Sequence, residues 1–351
     1  MFDIIIGTFK NGNISSAISS TFLIILLGFY LRRRGTFDEN TGKVLSSVAL
    51  TVALPALAYS AFMQDIDRQQ LAQSFTALIW GIVIYPLLMV ISWVFYRRYK
   101  GDKNISLNIM TIFGSTTFFG TPIVQAVFGP IGVVYANIFN IGYRLFLYSY
   151  GYIKMSGLKM KKGMFKQMFL NPTVVATVLG LLVWIFQESL PQVSAHGSEL
   201  TDYMTVAFLR FDITAPWIHR PMKYLAGLAS PLAWLSIGAT LGEVSLSVAA
   251  VDRDSWYYSF VKLLAIPVII IFIMAITNLL GWTNFSYLLV AITVIMLATP
   301  PAAVAAAYAI GFDREPVMSS NASLISTAAA VLMIPIWLTI LRGIEMTGIF
   351  L

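Results

Sequence analysis

The sequence contains no cysteine and only two histidines among its 351 residues. Without cysteine, the chain cannot form disulfide bonds, thiolate nucleophiles or cysteine-ligated metal sites. The histidines, His196 and His219, lie outside the long hydrophobic segments, and neither belongs to an HExxH-like motif. We therefore expect no metal site and no cofactor.

Acidic residues are also scarce, and none lies well inside a long hydrophobic segment; Glu243 comes closest. An enzyme that acts at membrane depth would need an acid, a base, a nucleophile or a metal there, so we expect that the protein is not an enzyme. Carriers that bind sodium or move protons commonly use a carboxylate within the membrane. The lack of one argues against cation/proton antiport.

Hydrophobic residues, in contrast, make up 58% of the chain, and the mean hydropathy is +0.78. This composition predicts an all-α polytopic membrane protein that is surrounded by a lipid bilayer. Ten segments have the length that crosses roughly 30 Å of hydrocarbon. They are residues 14–31, 44–63, 73–96, 105–127, 131–152, 172–190, 224–247, 256–279, 285–308 and 318–341.

The basic residues lie in short loops beside these segments, which indicates membrane topology and no nucleic-acid surface. They concentrate at 32–43, at 97–103 and in a basic loop at 153–171. The positive-inside rule places these loops in the cytoplasm and both termini outside the cell membrane. The long loop 191–223 is then external, either as an amphipathic helix on the membrane surface or as an ordinary covering loop.

Prolines recur at similar places in the two halves of the chain. The pairs Pro55 and Pro231, Pro86 and Pro267, and Pro122 and Pro300 are 176, 181 and 178 residues apart. Because each half has five segments, an odd number, the second half enters the membrane inverted. The pattern predicts inverted repeats at 1–152 and 172–351, which suit alternating access. Scattered helix kinks without a repeat are the alternative.

Two hydrophobic segments are interrupted, at 114–129 (GSTTFFGTPIVQAVFG) and at 297–311 (LATPPAAVAAAYAIG). Proline breaks or bends a helix, and the freed backbone groups need a protein or water partner inside a membrane. Interrupted segments in matching halves indicate a transporter's binding site. The candidate substrate-binding residues here are Ser115, Thr116, Thr121, Pro122, Thr299, Pro300 and Pro301.

Arg144 lies in the middle of the fifth segment, with Asn140 and Asn137 on the same helical face. An arginine at a helix centre costs about 2.5–3.5 kcal/mol, so it needs a partner or a cavity. Together with the positive N-termini of broken helices, this stripe predicts a site for an anionic substrate. Alternatively, Arg144 extends to the cytoplasm or pairs with a carbonyl of a broken helix. We expect Lys262 to extend to the cytoplasmic surface. The polar start of the tenth segment, at 319–327, lines the same cavity or bonds between helices.

Five motifs together resemble the auxin efflux carrier family, which includes bacterial malate- and malonate-type carriers and belongs to the bile acid/auxin transporter superfamily. They are LPALAYSAF at 54–62, FGSTTFFGTPIV at 113–124, NPTVVATVLGLL at 171–182, SPLAWLSIGATLG at 230–242 and ATPPAAVAAA from 298. Family members often have asparagine where this chain has Ser115. The resemblance implies two inverted five-helix repeats in which segments four and nine cross at their proline breaks. It also implies a scaffold of segments one, two, six and seven, a mobile domain of the other six, and a homodimer as one assembly.

These observations predict a secondary active or facilitative transporter of small organic anions, such as malate or malonate. It would work by alternating access with an elevator-like motion. An auxin-like or other small-molecule efflux carrier, or a channel or ligand sensor on the same scaffold, remains the alternative.

Overall fold

The computed structural model describes residues 12–65, 68–157, 170–196, 203–243 and 251–350. Most of the predicted basic loop 153–171 and the N-terminal residues 1–11 lie outside the described residues. The described chain is mostly helical, as predicted. Its helices, named here in chain order, are α1 (Gly12–Arg33), α2 (Thr41–Ala61), α3 (Arg68–Tyr96), α4 (Gly101–Ile112), α5 (Thr116–Ser156), α6 (Pro172–Ile185), α7 (Phe211–Thr214), α8 (Pro216–Gly227), α9 (Ala229–Glu243), α10 (Arg253–Leu279), α11 (Tyr287–Leu297), α12 (Ala303–Gly311) and α13 (Pro316–Glu345).

Among the described residues, six helical stretches are long and apolar enough to cross a membrane. They are Thr41–Ala61, Gln70–Tyr96, Thr116–Ser156, Pro216–Gly242, Arg253–Leu279 and Pro316–Glu345, and α6 and α11 are shorter apolar helices. The protein is therefore a multi-pass membrane protein. Each predicted segment overlaps at least one described helix, the end of the seventh segment at 244–247 lies outside the described residues, and ten complete crossings stay a prediction.

Helix α5 combines parts of two predicted segments. It bends sharply at Gly129, whose φ of 64° lies in the left-handed region that favours glycine, and Pro130 follows. The bend divides α5 into a short arm before Gly129 and a long arm that carries Asn137, Asn140 and Arg144.

The helices pack into two groups. In the first, α1 packs on α9, and α2 packs on α6, α8 and α9. A Cβ atom on Gly238 of α9 would lie 2.1 Å from the Ile25 carbonyl oxygen of α1, so these helices approach at backbone distance. In the second group, α3 packs on α4 and α5, α11 on α5, α10 on α13, and α12 on α13 and α4. The Ser230 hydroxyl of α9 donates to the Pro122 carbonyl of α5 at 3.2 Å and joins the two groups.

The long loop at 191–223 departs from the helical pattern. Strands β1 (Gln192–His196) and β2 (Tyr203–Ala207) form an antiparallel hairpin in which Ser194 pairs with Thr205. Helix α8 occupies the second part of the loop and continues towards α9 after Leu228. The loop contains a hairpin that neither prediction anticipated, and the external position of the loop and an amphipathic helix on the membrane surface stay predictions.

Arg210 anchors this loop to the helical body. It is 3% exposed, and its guanidinium donates two hydrogen bonds to Asp212 at 2.9 and 2.8 Å. It also donates to Asp65, beyond the end of α2, at 2.8 Å, and to Gln187, beyond the end of α6, at 2.9 Å. One buried cation thus holds the loop against α2 and α6.

Candidate functional site

The two interrupted segments meet each other at their breaks. Helix α4 ends at Ile112 and α5 begins at Thr116, while α11 ends at Leu297 and α12 begins at Ala303. We call residues 113–115 and 298–302 the paired breaks.

Backbone hydrogen bonds join the paired breaks directly. The Ser115 N–H donates to the Pro300 carbonyl at 2.7 Å, and the Ala302 N–H donates to the Phe113 carbonyl at 2.9 Å. Gly114 and Pro301 are the partners of this short antiparallel bridge. Each break therefore supplies partners for backbone groups that the other has freed, as a membrane interior requires.

Glycine is required at position 114 by close neighbours. A Cβ atom there would lie 2.4 Å from Thr299 Oγ1 and 2.8 Å from Lys262 Nζ. The Thr299 hydroxyl donates to the Met296 carbonyl at 2.8 Å. The side chains of Thr299 in the second break and of Lys262 in α10 thus approach the first break at a distance that only glycine permits.

The remaining candidates of the first break are held by local bonds. The Thr121 hydroxyl donates to the Thr116 carbonyl at 3.2 Å, and the Pro122 carbonyl accepts from Ser230. Thr116 is 1% exposed, and its own hydroxyl has no hydrogen-bond partner among the described residues. These contacts place Pro122 at the boundary between the two helix groups.

Arg144 reaches the first break from the long arm of α5. It is 6% exposed, and its Nη2 atom lies 3.5 Å from Thr117 Oγ1, which is long for a hydrogen bond. No ion pair among the described residues includes Arg144. The guanidinium is therefore an interior cation with little neutralisation, and it does not extend to the surface.

Asn137 and Asn140 are buried on the same arm, 1% and 0% exposed. Asn137 Nδ2 and both side-chain polar atoms of Asn140 have no hydrogen-bond partner among the described residues. A buried polar group without a partner costs about 1–3 kcal/mol, so it calls for an explanation such as a bound molecule. No hydrogen bond among the described residues joins either asparagine to the paired breaks.

Aromatic packing fixes the long arm of α5 beside the first break. The Tyr85 ring of α3 stacks on Phe113 with centroids 5.8 Å apart and on Phe146 of α5 at 5.7 Å. A Cβ atom on Gly142 would lie only 1.9 Å from the Gly81 carbonyl oxygen, so α3 and α5 touch backbone to backbone. This contact sets the depth of Arg144 relative to the break.

The polar start of α13 does not bond between helices. The hydroxyls of Ser323, Ser326 and Thr327 donate to carbonyls of α13 itself, at 2.8, 2.6 and 2.6 Å. Ser319 is fully buried, and its hydroxyl has no partner among the described residues. The predicted role of bonding between helices therefore does not apply to the hydroxyls of Ser323, Ser326 and Thr327.

The prediction for Lys262 is wrong. Its side chain is fully buried, and its Nζ atom donates to the Thr111 carbonyl of α4 at 2.8 Å. The sequence held a signal for this position, because Lys262 follows Arg253, the first residue of α10, by more than two helical turns. A lysine that deep cannot reach the end of its helix by extension.

The chain matches the family described as membrane transport protein over residues 13–167 and 157–338. An uncharacterized transporter of Methanothermobacter thermautotrophicus is 24% identical over 343 residues, which cover 93% of this chain and 98% of the relative. An uncharacterized transporter of Methanocaldococcus jannaschii is 20% identical over 233 residues, which cover 64% of this chain and 68% of the relative. The similarity to transporters thus extends over nearly the whole chain.

Proposed function

Because this chain belongs to the membrane transport protein family, the family of the auxin efflux carriers that its motifs resemble, we propose that it is a secondary carrier of small organic anions. Membership of this family indicates a role in membrane transport rather than in catalysis. The proposal adds the substrate class, the binding residues and the mechanism.

The observation that carries the proposal is the isolated charge of Arg144. A buried arginine normally has a carboxylate partner, because an unpaired charge in a low-dielectric interior is costly. Among the described residues, the one hydrogen-bond contact of Arg144 is the 3.5 Å contact to Thr117, and Asn140, one turn away, has an amide without a partner. A carboxylate substrate would accept hydrogen bonds from the guanidinium in the bidentate geometry that arginine favours.

The paired breaks complete the proposed site. Helices α5 and α12 begin there, and their N-terminal N–H groups and positive dipole ends favour an anion. Thr116, Thr121, Pro122, Thr299 and Pro301 are the proposed neighbours of the substrate, together with Ser115 and Pro300. A small mono- or dicarboxylate such as malonate or malate suits this combination of one cation, amides and hydroxyls.

The proposed mechanism is alternating access by motion of one helix group against the other. The group of α1, α2, α6, α8 and α9 would act as the scaffold, and the group that contains the paired breaks would move with an elevator-like displacement. Ten membrane crossings in two inverted repeats, both termini outside the cell membrane and a homodimeric assembly belong to the same proposal. Pro122, in contact with Ser230, lies at the surface along which the groups would slide.

Uniport, exchange or proton–anion symport fits this site better than sodium coupling. The proposed site contains positive charge and no acid that could hold a metal cation. Moving one elementary charge across the membrane exchanges about 2.3 kcal/mol per 100 mV, so the membrane potential alone can drive net flux.

A thermal-shift screen followed by uptake tests the proposal. Purified protein is heated with malonate, malate, an auxin-type aromatic carboxylate or a neutral analogue of each. A carboxylate at about 100 times its dissociation constant should stabilise the wild type by roughly 2.7 kcal/mol. Arg144→Gln should lose this shift and the uptake of the same compound into proteoliposomes, while Arg144→Lys should retain part of both because the charge remains.

Arg97→Gln serves as the matched control, because Arg97 is an exposed arginine at the end of the third segment. It should respond to the carboxylate like the wild type. If Arg144→Gln keeps wild-type uptake, Arg144 is not the anion ligand. If only the aromatic carboxylate stabilises the protein, the auxin-like alternative replaces the malate or malonate type.

A further inference from the structure

Lys262 is a second interior cation, and the anion site does not account for it. It lies in α10 and is fully buried, and its ammonium group donates to the Thr111 carbonyl. No ion pair among the described residues includes Lys262. An ammonium in such a place needs a physical reason, since its desolvation costs several kcal/mol.

The carbonyl end of α4 provides that reason. The last carbonyl groups of a helix have no partner within the helix and carry the negative end of its dipole. The Tyr258 hydroxyl donates to the Met110 carbonyl at 3.0 Å, and Lys262, one turn later, donates to the next carbonyl, that of Thr111. The side chains of α10 therefore occupy the end of α4 immediately before the first break.

Lys262 lies in a locally widened turn of α10. Residues Val261–Ala265 form a π-helical turn, a wide turn that often marks functional positions. Trp337 of α13 donates its Nε1–H to the Leu263 carbonyl at 2.8 Å and so satisfies a carbonyl of this turn. If Gly114 carried a Cβ atom, this atom would lie 2.8 Å from the Lys262 ammonium and 2.4 Å from Thr299 Oγ1. Both groups therefore lie close to the backbone of the first break.

This arrangement has the parts of a cation site. Unwound backbone carbonyls and half-helix C-terminal ends are the groups that coordinate coupling cations in transporters with broken helices. Here a covalently attached ammonium occupies the position. The corresponding residue of the first half, five places before Pro86, is Gly81, so only one half of the chain carries the cation.

We propose that the Lys262 ammonium is the resident cation of the paired breaks. It binds the carbonyl end of α4 at the position that a metal cation would otherwise occupy, and transport therefore needs no sodium. The part of this inference that concerns transport rests on the proposed carrier function. The part that concerns the cation can be tested without any substrate.

Chemical rescue of Lys262→Ala tests the cation itself. The variant is purified in choline chloride, and thermal unfolding is followed after addition of ethylammonium chloride or sodium chloride at constant ionic strength. A small cation at about ten times its dissociation constant multiplies the ratio of folded to unfolded protein about elevenfold, which raises the midpoint. Lys262→Met, which fills the space with a neutral chain, and the wild type should not respond.

Lys154→Ala is the matched control, because Lys154 is an exposed lysine near the end of α5. Its midpoint should be insensitive to the added cation. An equal response of Lys262→Ala and the wild type to both cations would overturn the proposal.

Sodium replacement in the wild type provides a second test that does not depend on the folding of a variant. Uptake of malonate into proteoliposomes should be equal within about twofold in choline and in sodium buffers, and a requirement for sodium would overturn the proposal. If malonate and the other carboxylates fail to stabilise the wild type while Lys262→Ala still responds to ethylammonium, the anion proposal fails and the resident cation stands.

Discussion

Gly114→Ala is the substitution that tests the paired breaks most directly. The added methyl group would lie 2.4 Å from Thr299 Oγ1, well inside van der Waals contact, and 2.8 Å from Lys262 Nζ. Overpacking of this kind typically costs about 1–3 kcal/mol. The lysine end can shift, whereas moving the threonine hydroxyl sacrifices its hydrogen bond to the Met296 carbonyl, worth about 1 kcal/mol.

We expect the effects of substitutions at Gly114 and Thr299 on stability to depend on each other. Thr299→Ala alone should cost about 1 kcal/mol, because it removes the bond to Met296. The double variant Gly114→Ala/Thr299→Ala should be no less stable than Gly114→Ala, because the clashing oxygen is gone. The two effects should therefore fall short of additivity by about 1 kcal/mol, within the range for residues in contact.

The assay is thermal unfolding in detergent at one fixed scan rate, together with uptake of the carboxylate found in the screen. Gly227→Ala is the control, because nothing lies within 4 Å of its Cβ position and its φ is ordinary. This control should be unchanged or slightly more stable, by up to about 1 kcal/mol. A Gly114→Ala protein as stable as the wild type, or strictly additive effects with Thr299→Ala, would refute the geometry proposed for the paired breaks.

Two further predictions concern packing away from the breaks. Asp212→Asn should lower the free energy of unfolding by about 3 kcal/mol, measured by chemical unfolding, because it leaves buried Arg210 without its bidentate partner. Asp65→Asn should cost under about 1 kcal/mol, because the Asp65 side chain is 93% exposed. Equal effects of the two substitutions would contradict this account. Gly142→Ala should lower the free energy of unfolding by at least about 3 kcal/mol, because its methyl group would meet the Gly81 backbone, which cannot rotate away as a side chain can. A variant as stable as the wild type would contradict the contact.

Much of the helical arrangement could be predicted from the sequence because membrane helices leave a strong local signal. Pro122 and Pro300 marked the two interrupted segments, and the structure ends and restarts helices just before Pro122 and around Pro300. The matching offset of the prolines also suggested that these places are related. The hydrogen bonds between the backbones of the two breaks could not be predicted from hydrophobicity, because they depend on how two segments that are distant in sequence approach each other.

Side-chain surroundings were harder to predict than helix positions. Arg144 was correctly predicted as an interior residue, because it lies in mid-segment with asparagines on the same face. Lys262 was assigned to the surface because its segment begins nearby; its depth in the helix could have been read from the sequence, but its hydrogen bond to the Thr111 carbonyl of α4 could not. The hairpin of β1 and β2 was missed because Tyr203 and Met204, which lie in β2, also fit the apolar face of an amphipathic helix.

The joint between the two breaks is made of main-chain atoms, and this has a consequence for how such carriers diverge. The bonds from Ser115 N–H to the Pro300 carbonyl and from Ala302 N–H to the Phe113 carbonyl do not depend on side chains. Any residue at position 115 except proline has the N–H group that this joint requires. Mutation of Ser115, a proposed neighbour of the substrate, can therefore change the chemistry beside the substrate while the joint persists, whereas Gly114 has to be kept.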